Sequence, residues 1–190
     1  MSRFDAIVMG GSSGAIDALM KVLHALPRGF PVPVVVVVHV LPHKPSHLTE
    51  VLQPGCALTL LEAQDKLPLE PGTVVVGPPD YHLLVERGRH VALSVEPPVH
   101  FSRPSIDVLF ESAAAAFGPR VLAVLLTGGS EDGVAGLESI AKQGGVTVVQ
   151  HPKSAAVPVM PQAALRRFTP TQVLPLLKIG AYLSSEGGAA

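Results

Sequence analysis

Five consecutive valines, Val34 to Val38, stand between Pro33 and His39. The run is short, continuously apolar and closed by turn residues, so it reads as a strand covered on both faces. It is far too short to span a bilayer. A strand buried on both faces needs helices above and below it, and the rest of the chain supplies them. Phe4 to Met9 is a second apolar run, stopped by Gly10 and Gly11. After it, Ile16, Leu19, Met20, Leu23 and Leu26 fall on one helix face. "RVLAVLLTGG" and "VTVVQ" repeat the buried-strand pattern, and each is flanked by segments with helical spacing.

Between these landmarks, "LPHKPSHLTEVLQ" reads as a proline-marked loop running into a short helix, and "ALTLLEA" as a strand. "GTVVVGPPDYHLLVERGRHVALSV" reads as strands separated by turns, with a hairpin tip at Arg87-Gly88-Arg89. "RPSIDVLFESAAAAFG" is a helix that Ser105 is placed to cap and Gly118 to close. "EDGVAGLESIAKQGG" is a helix ending at paired glycines. "MPQAALRRF" and "TPTQVLPLLKIGAYL" read as short helical pieces, the second weakened by Pro175. The expected fold is α/β: a mainly parallel sheet with helices on both faces and an antiparallel hairpin, forming one domain over residues 1–184. Residues 185–190 are expected to be a disordered tail.

Composition narrows the function classes. The 190 residues carry a formal net charge of −1, so nothing calls for nucleic acid or an anionic membrane as partner. The lone Cys56 excludes an internal disulfide and fits a reducing compartment. Arg3 and Asp5 interrupt the start of the chain, and no signal peptide is visible. A cytoplasmic protein is expected.

In an open parallel sheet, sites collect beyond the carboxyl ends of the strands. The first strand delivers Gly10-Gly11-Ser12-Ser13-Gly14, the second His39, and "RVLAVLLTG" delivers Thr127-Gly128-Gly129-Ser130-Glu131-Asp132-Gly133. "VTVVQ" delivers Gln150-His151-Pro152. The glycines at 10, 11 and 14 miss the spacing of a dinucleotide fingerprint, and His39 stands where a ribose-binding acid would be wanted. No lysine follows the glycines, as a P-loop requires. A serine on a glycine-flanked turn, by contrast, exposes its hydroxyl beside free amides at a helix start. A histidine at the next strand end can take its proton, and a carboxylate on a third can hold the histidine's tautomer.

Each of these residues has a second reading from spacing alone. Ser12 can cap the first helix, His39 can be a hydrogen-bonded histidine at a sheet edge, and Asp132 can be an N-cap or first-turn carboxylate. His43 and His47 stand four apart without an obvious third metal ligand, and a solvated loop is the alternative.

The motifs "GGSSGAIDAL", "VVVVHVLP", "VVVGPPDYHLLV", "FSRPSIDVLFESAA", "LLTGGSEDGVAGL" and "GGVTVVQHPKSAAVPVMPQAAL" occur in an order that resembles the catalytic domain of the CheB-type protein-glutamate methylesterases of bacterial chemotaxis, over nearly the full chain. The resemblance implies a three-layer Rossmann-like sandwich and hydrolysis of glutamate methyl esters on chemoreceptors, with glutamine deamidation as a related activity. It implies Ser12 as nucleophile, His39 as base and then acid, and Asp132 as the residue that orients the histidine, with neither metal nor cofactor. Ser13 and Gly129 fall at oxyanion positions, and Arg103 in "FSRPSID" at a substrate-facing position or at one that only ties a loop to the sheet edge. Tyr81 and His82 are expected in turn and packing roles.

Two departures stand out. Members of that family usually carry a receiver domain ahead of the catalytic part, and this sequence starts at the catalytic strand. The expectation is an unmasked stand-alone form that ignores phosphodonors. Second, the family's Thr-Gly-Met-Gly-x-Asp-Gly reads Thr127-Gly128-Gly129-Ser130-Glu131-Asp132-Gly133 here. That keeps the amide of residue 129, loses the methionine side chain and adds the Glu131 carboxylate. The expected partner is the cytoplasmic domain of a methyl-accepting chemoreceptor or a related methylated signalling protein. The competing readings are a non-catalytic signalling or scaffold module of the same fold, and an esterase or amidase with another substrate.

Overall fold

The computed structural model describes residues 2–188. The first half of the chain forms β1 (Ala6–Gly11), α1 (Ala15–Leu23), β2 (Val34–Val38), α2 (Leu48–Leu52), β3 (Thr59–Glu62) and β4 (Thr73–Val76). A hairpin follows, β5 (His82–Glu86) and β6 (His90–Ser94), with Arg87-Gly88-Arg89 at its tip as the sequence predicts. The second half forms α3 (Ile106–Phe117), β7 (Val121–Leu125), α4 (Val134–Lys142), β8 (Val146–Gln150), α5 (Val159–Arg167), β9 (Gln172–Leu174) and α6 (Leu176–Gly188).

Seven strands make one sheet in the order β3-β4-β2-β1-β7-β8-β9, parallel throughout, and β5-β6 form a separate antiparallel pair. The alternation of side chains along a strand divides the core in two. Ile7, Met9, Val34, Val36 and Val38 face one layer with α1, α2 and α6. Ala6, Val8, Val35 and Val37 face the other, with α3, α4, α5 and the hairpin. All five valines of β2 are at most 2% exposed, so each contributes roughly 1.5–3 kcal/mol of burial. That explains why the run carries no polar residue.

Three expectations are corrected. The segment Gln172–Leu174 is not helical but pairs with Val148–Gln150 as the edge strand β9; three residues are too few to show a period. Pro175 does not weaken the last helix but stands immediately before it, where a missing N–H costs nothing. Helix α6 then runs on through residues 185–188 of the expected tail. Glu186 pairs with Arg3 at 2.6 Å, and Gly187 lies against the Phe30 ring, contacts that hold this last turn down. Residues 189–190 of that tail lie outside the described residues.

Candidate active site

The chain leaves β1 for β2 on one side and reaches β7 on the other, so the strand order reverses at β1, where a crevice opens beyond the carboxyl ends. Ser12 follows β1 and His39 follows β2 directly, while Asp132 lies in the loop between β7 and α4. The backbone ties these ends together. The His39 amide donates to Gly11 O at 3.3 Å, and the Ser12 amide donates to Thr127 O at 2.9 Å. Gly14 closes the turn at φ 80°, a conformation that suits a residue without Cβ.

Asp132 is buried to 0% exposure, yet it is not short of partners. Its carboxylate sits at the N-terminus of α3, a helix distant in sequence. Ser105 Oγ donates to Oδ1 at 2.7 Å, the Asp107 amide to Oδ1 at 3.0 Å, and the Ile106 amide to Oδ2 at 2.7 Å. His39 Nε2 lies 2.7 Å from Oδ2 and completes the set. Burial pushes this carboxyl up, but the His39, Ile106, Ser105 and Asp107 donors outweigh it and hold the group below its ordinary value. Asp132 is therefore an anion that the free amides of a helix start and the helix dipole both favour. Ser105 has no capping bond to its own helix; Asp132 takes that place. The expected Ser105 cap is thus corrected, because its hydroxyl has a charged acceptor within reach.

An ionised carboxylate only accepts, so His39 Nε2 carries a proton, and in the neutral imidazole the lone pair is then on Nδ1. The imidazole is thus in the tautomer of a base, with Asp132 placed to stabilise the cation that forms on protonation. Among the described residues the Ser12 hydroxyl has no hydrogen-bond partner, an arrangement common before substrate arrives. The Ser12 and Thr127–Gly129 turns are in contact: a Cβ added at Gly128 would lie 3.1 Å from Ser12 Cβ, and one at Gly129 would lie 3.8 Å from Ser13 Oγ. The Ser13, Gly14 and Gly129 amides have no acceptor among the described residues, which leaves free N–H donors on the two turns that meet at Ser12.

The remaining sequence-predicted residues distribute differently. Arg103 donates to the carbonyls of Val95 and Glu96 at 2.9 and 3.2 Å and makes no hydrogen bond to Ser12, His39 or Asp132. It lines a cleft with Val40, His43, Asp80 and Phe101. His82 is buried: Nδ1 accepts the Ser105 amide at 3.1 Å, so Nε2 carries the proton and lies 3.0 Å from Pro97 O. It therefore positions Ser105, a task that no spacing in the sequence announces. Tyr81 is exposed. Glu131 reaches outward to Arg166 at 3.6 Å. His43 and His47 pair with different carboxylates, Asp80 and Glu50, and do not converge. His100, Asp107 and Asp132 do cluster, but both Asp132 oxygens are occupied by N–H and O–H donors and Asp107 Oδ1 by the Gly136 amide.

The CheB methylesterase family model matches residues 7–183. The chain belongs to that family. The crystal structure of the Thermotoga maritima CheB methylesterase catalytic domain superimposes with a TM-score of 0.91 at 30% identity, covering 96% of this chain and 98% of that one. A Leptospira interrogans relative, provisionally named a protein-glutamate methylesterase/protein-glutamine glutaminase, is 39% identical over 93% of this chain and 92% of its own length. The Nocardioides protein-glutamate methylesterase/protein-glutamine glutaminase is 40% identical over 92% of this chain, and the Myxococcus xanthus protein-glutamate methylesterase FrzG is 37% identical over 95%. The chain spans only 48% and 54% of those two longer CheB-family proteins. The match to the family also shows the enzyme class, a carboxylic-ester hydrolase.

Proposed function

We propose that this chain hydrolyses glutamate methyl esters on a methylated chemoreceptor in the cytoplasm, and glutamine amides by the same route, through an acyl-enzyme on Ser12. In this reading the catalytic domain takes in every element from β1 to α6, whose last turn carries it past the expected boundary at residue 184. Ser12 Oγ attacks the ester carbonyl and passes its proton to His39 Nδ1, while Asp132 stabilises the imidazolium. The Ser13 and Gly129 amides receive the developing oxyanion. Methanol leaves with the proton from His39. Water then attacks the acyl-enzyme with His39 again as base, releasing glutamate and restoring the Ser12 hydroxyl.

The observation that carries this reading is the His39–Asp132 pair, fixed on the α3 N-terminus at the sheet edge where the Ser12 turn begins. A protein substrate is favoured by the groove beside His39, about 340 Å³ and lined by Ile16, Leu41, Leu48 and Val51. Leu41 is 68% exposed there, which suits the surface of another protein better than an enclosed small molecule. Arg103 belongs to the rim of the neighbouring cleft and shapes it through the 95–96 backbone.

The test is methanol release from a methyl-esterified receptor fragment, with a working family member as positive control. Release by this chain that is lost in S12A is expected. Release by the control alone would overturn the substrate assignment.

A further inference from the structure

Thr127 and Gln150 lie at 1% and 0% exposure beside the site, and the chemistry above uses neither side chain. Thr127 grips the nucleophile turn from two atoms. Its carbonyl accepts the Ser12 amide at 2.9 Å, and its hydroxyl, with Ser13 O at 2.9 Å and Val157 O at 3.2 Å, donates to the nearer Ser13 O. The same hydroxyl accepts the Val157 amide at 2.8 Å, which joins the turn to the segment before α5. Gln150, the last residue of β8, holds Thr127 in turn: Oε1 accepts the Thr127 amide at 2.9 Å, and Nε2 donates to Ser154 O at 2.8 Å. A buried amide whose oxygen and nitrogen both have fixed partners has little freedom to move.

We propose that Thr127, braced by Gln150, is a positioning residue that sets the Ser12-Ser13-Gly14 turn for attack and for oxyanion binding. The inference rests on the assignment of Ser12 as nucleophile. A peptide's C=O and the following N–H share one plane, so holding Ser13 O fixes the Ser13–Gly14 plane and holding the Ser12 amide fixes the Gly11–Ser12 plane. Between them they bracket the Ser12–Ser13 plane, which carries the Ser13 N–H. The Ser12 amide, spent on Thr127 O, is not an oxyanion donor, and this leaves Ser13 N–H free to be one. Gly129, the second donor, is two residues from Thr127 on the same loop. One residue, through its carbonyl and its hydroxyl, thus sets the spacing between both halves of the oxyanion site, and misplacing such donors slows the reaction without weakening ground-state binding.

The experiment compares the wild-type chain with T127V, T127S and Q150L. It measures methanol release and, independently of any substrate assignment, the rate at which a fluorophosphonate labels Ser12. In labelling, Ser12 Oγ bonds to phosphorus, fluoride departs and the hydroxyl proton goes to His39. T127V is expected to lower kcat and the labelling rate by about 10- to 100-fold, with KM within about twofold. That is at or below the lower end of the loss for removing an oxyanion donor outright, because the donors are displaced rather than deleted. T127S, which keeps the hydroxyl, restores most of both, and Q150L falls between. Thermal melts identify any variant that has lost its fold; should T127V be one, Q150L against T127S carries the comparison, and Q150L labelling as fast as wild type would overturn the proposal. If wild type labels and T127V labels as fast, the positioning role is overturned while Ser12 stands. Equal losses in T127S and T127V would also overturn it, because the hydroxyl would not be the active group. If wild type neither labels nor releases methanol, the nucleophile assignment and this inference fall together.

Discussion

The Ser105 hydroxyl donates to Asp132 Oδ1 at 2.7 Å, across 27 residues of sequence, and makes no capping bond to the helix it precedes. The start of α3 and the carboxylate of the β7–α4 loop are therefore one unit. Four donors converge on a single buried anion, and only one of them, His39, belongs to the proposed chemistry.

That unit predicts a coupled loss for D132N. A carboxamide offers one acceptor oxygen in place of two and turns an NH2 toward groups that are themselves donors. Stability is expected to fall by about 3 kcal/mol or more, the range for breaking a buried charged network. Turnover is expected to fall by about 10⁴-fold, as when the corresponding carboxylate is neutralised in a well-studied serine hydrolase. S105A removes one donor of four and should cost about 1–3 kcal/mol. Chemical denaturation and methanol release measure the two effects; D132N within tenfold of wild-type turnover would contradict the role given to Asp132.

The nucleophile assignment separates Ser12 from its neighbour. S12A is expected to lower methanol release by about 10⁶-fold, the loss seen when a working triad loses its serine, with an unchanged melting temperature. S13A should stay within about tenfold, because the backbone amide of residue 13, not its hydroxyl, is placed for the oxyanion. Reversed effects would move the nucleophile to Ser13.

Much of this was legible in the chain. The valine run of β2 and the apolar runs of β1 and β7 identify buried parallel strands, although Gly10 and Gly11 prove to be the last residues of β1 rather than its stop. Strand ends then bring Ser12, His39 and Asp132 to one edge without any pairing information. What the sequence hides is contact at long range. Nothing near Ser105 says that its acceptor is Asp132, and nothing near His82 says that it holds the Ser105 amide. Ser105 carries a residue type that caps helices, so local propensity points to the wrong partner while naming the right residue. Gln150 closes β8 like any polar strand end, and only the fold shows that it reaches Thr127. The strand β9 was hidden for another reason: it is an edge strand of three residues between prolines.

Asp107 predicts a pH dependence opposite in sign to that of Asp132. Burial pushes its carboxyl up from 3.8 to about 6, against the Gly136 amide and with the Asp132 charge adding to the rise. A carboxyl raised in the folded state contributes stability that is present below about 3.8 and lost as pH rises through about 6. Asp132, held low, contributes stability that is lost as pH falls through its folded pKa, a window below the one in which Asp107 titrates. D107N keeps an oxygen for the Gly136 amide and has no charge to bury. It should therefore gain stability relative to wild type between about pH 4 and 7, with the difference level on either side. Denaturation midpoints across that range measure it; a constant difference would refute the shift.

Gly10 predicts how tightly α3 must approach the sheet. A Cβ on Gly10 would overlap the Ile106 side chain, and one on Gly133 would lie 2.6 Å from Ile106 Cγ2. Ile106 also supplies one of the amides on Asp132, so moving it moves the carboxylate that holds His39. G10A is expected to cost about 1–3 kcal/mol, the usual penalty for an added methyl in a packed core, and to lower turnover by more than its unfolded fraction explains. The suppressor is I106A, which removes the overlapping atoms while keeping the residue-106 amide. In the G10A/I106A pair, turnover of the folded fraction should recover even though the added cavity keeps stability below wild type. If turnover instead follows stability in both variants, the α3 approach would be a matter of packing alone and would not set the position of Asp132.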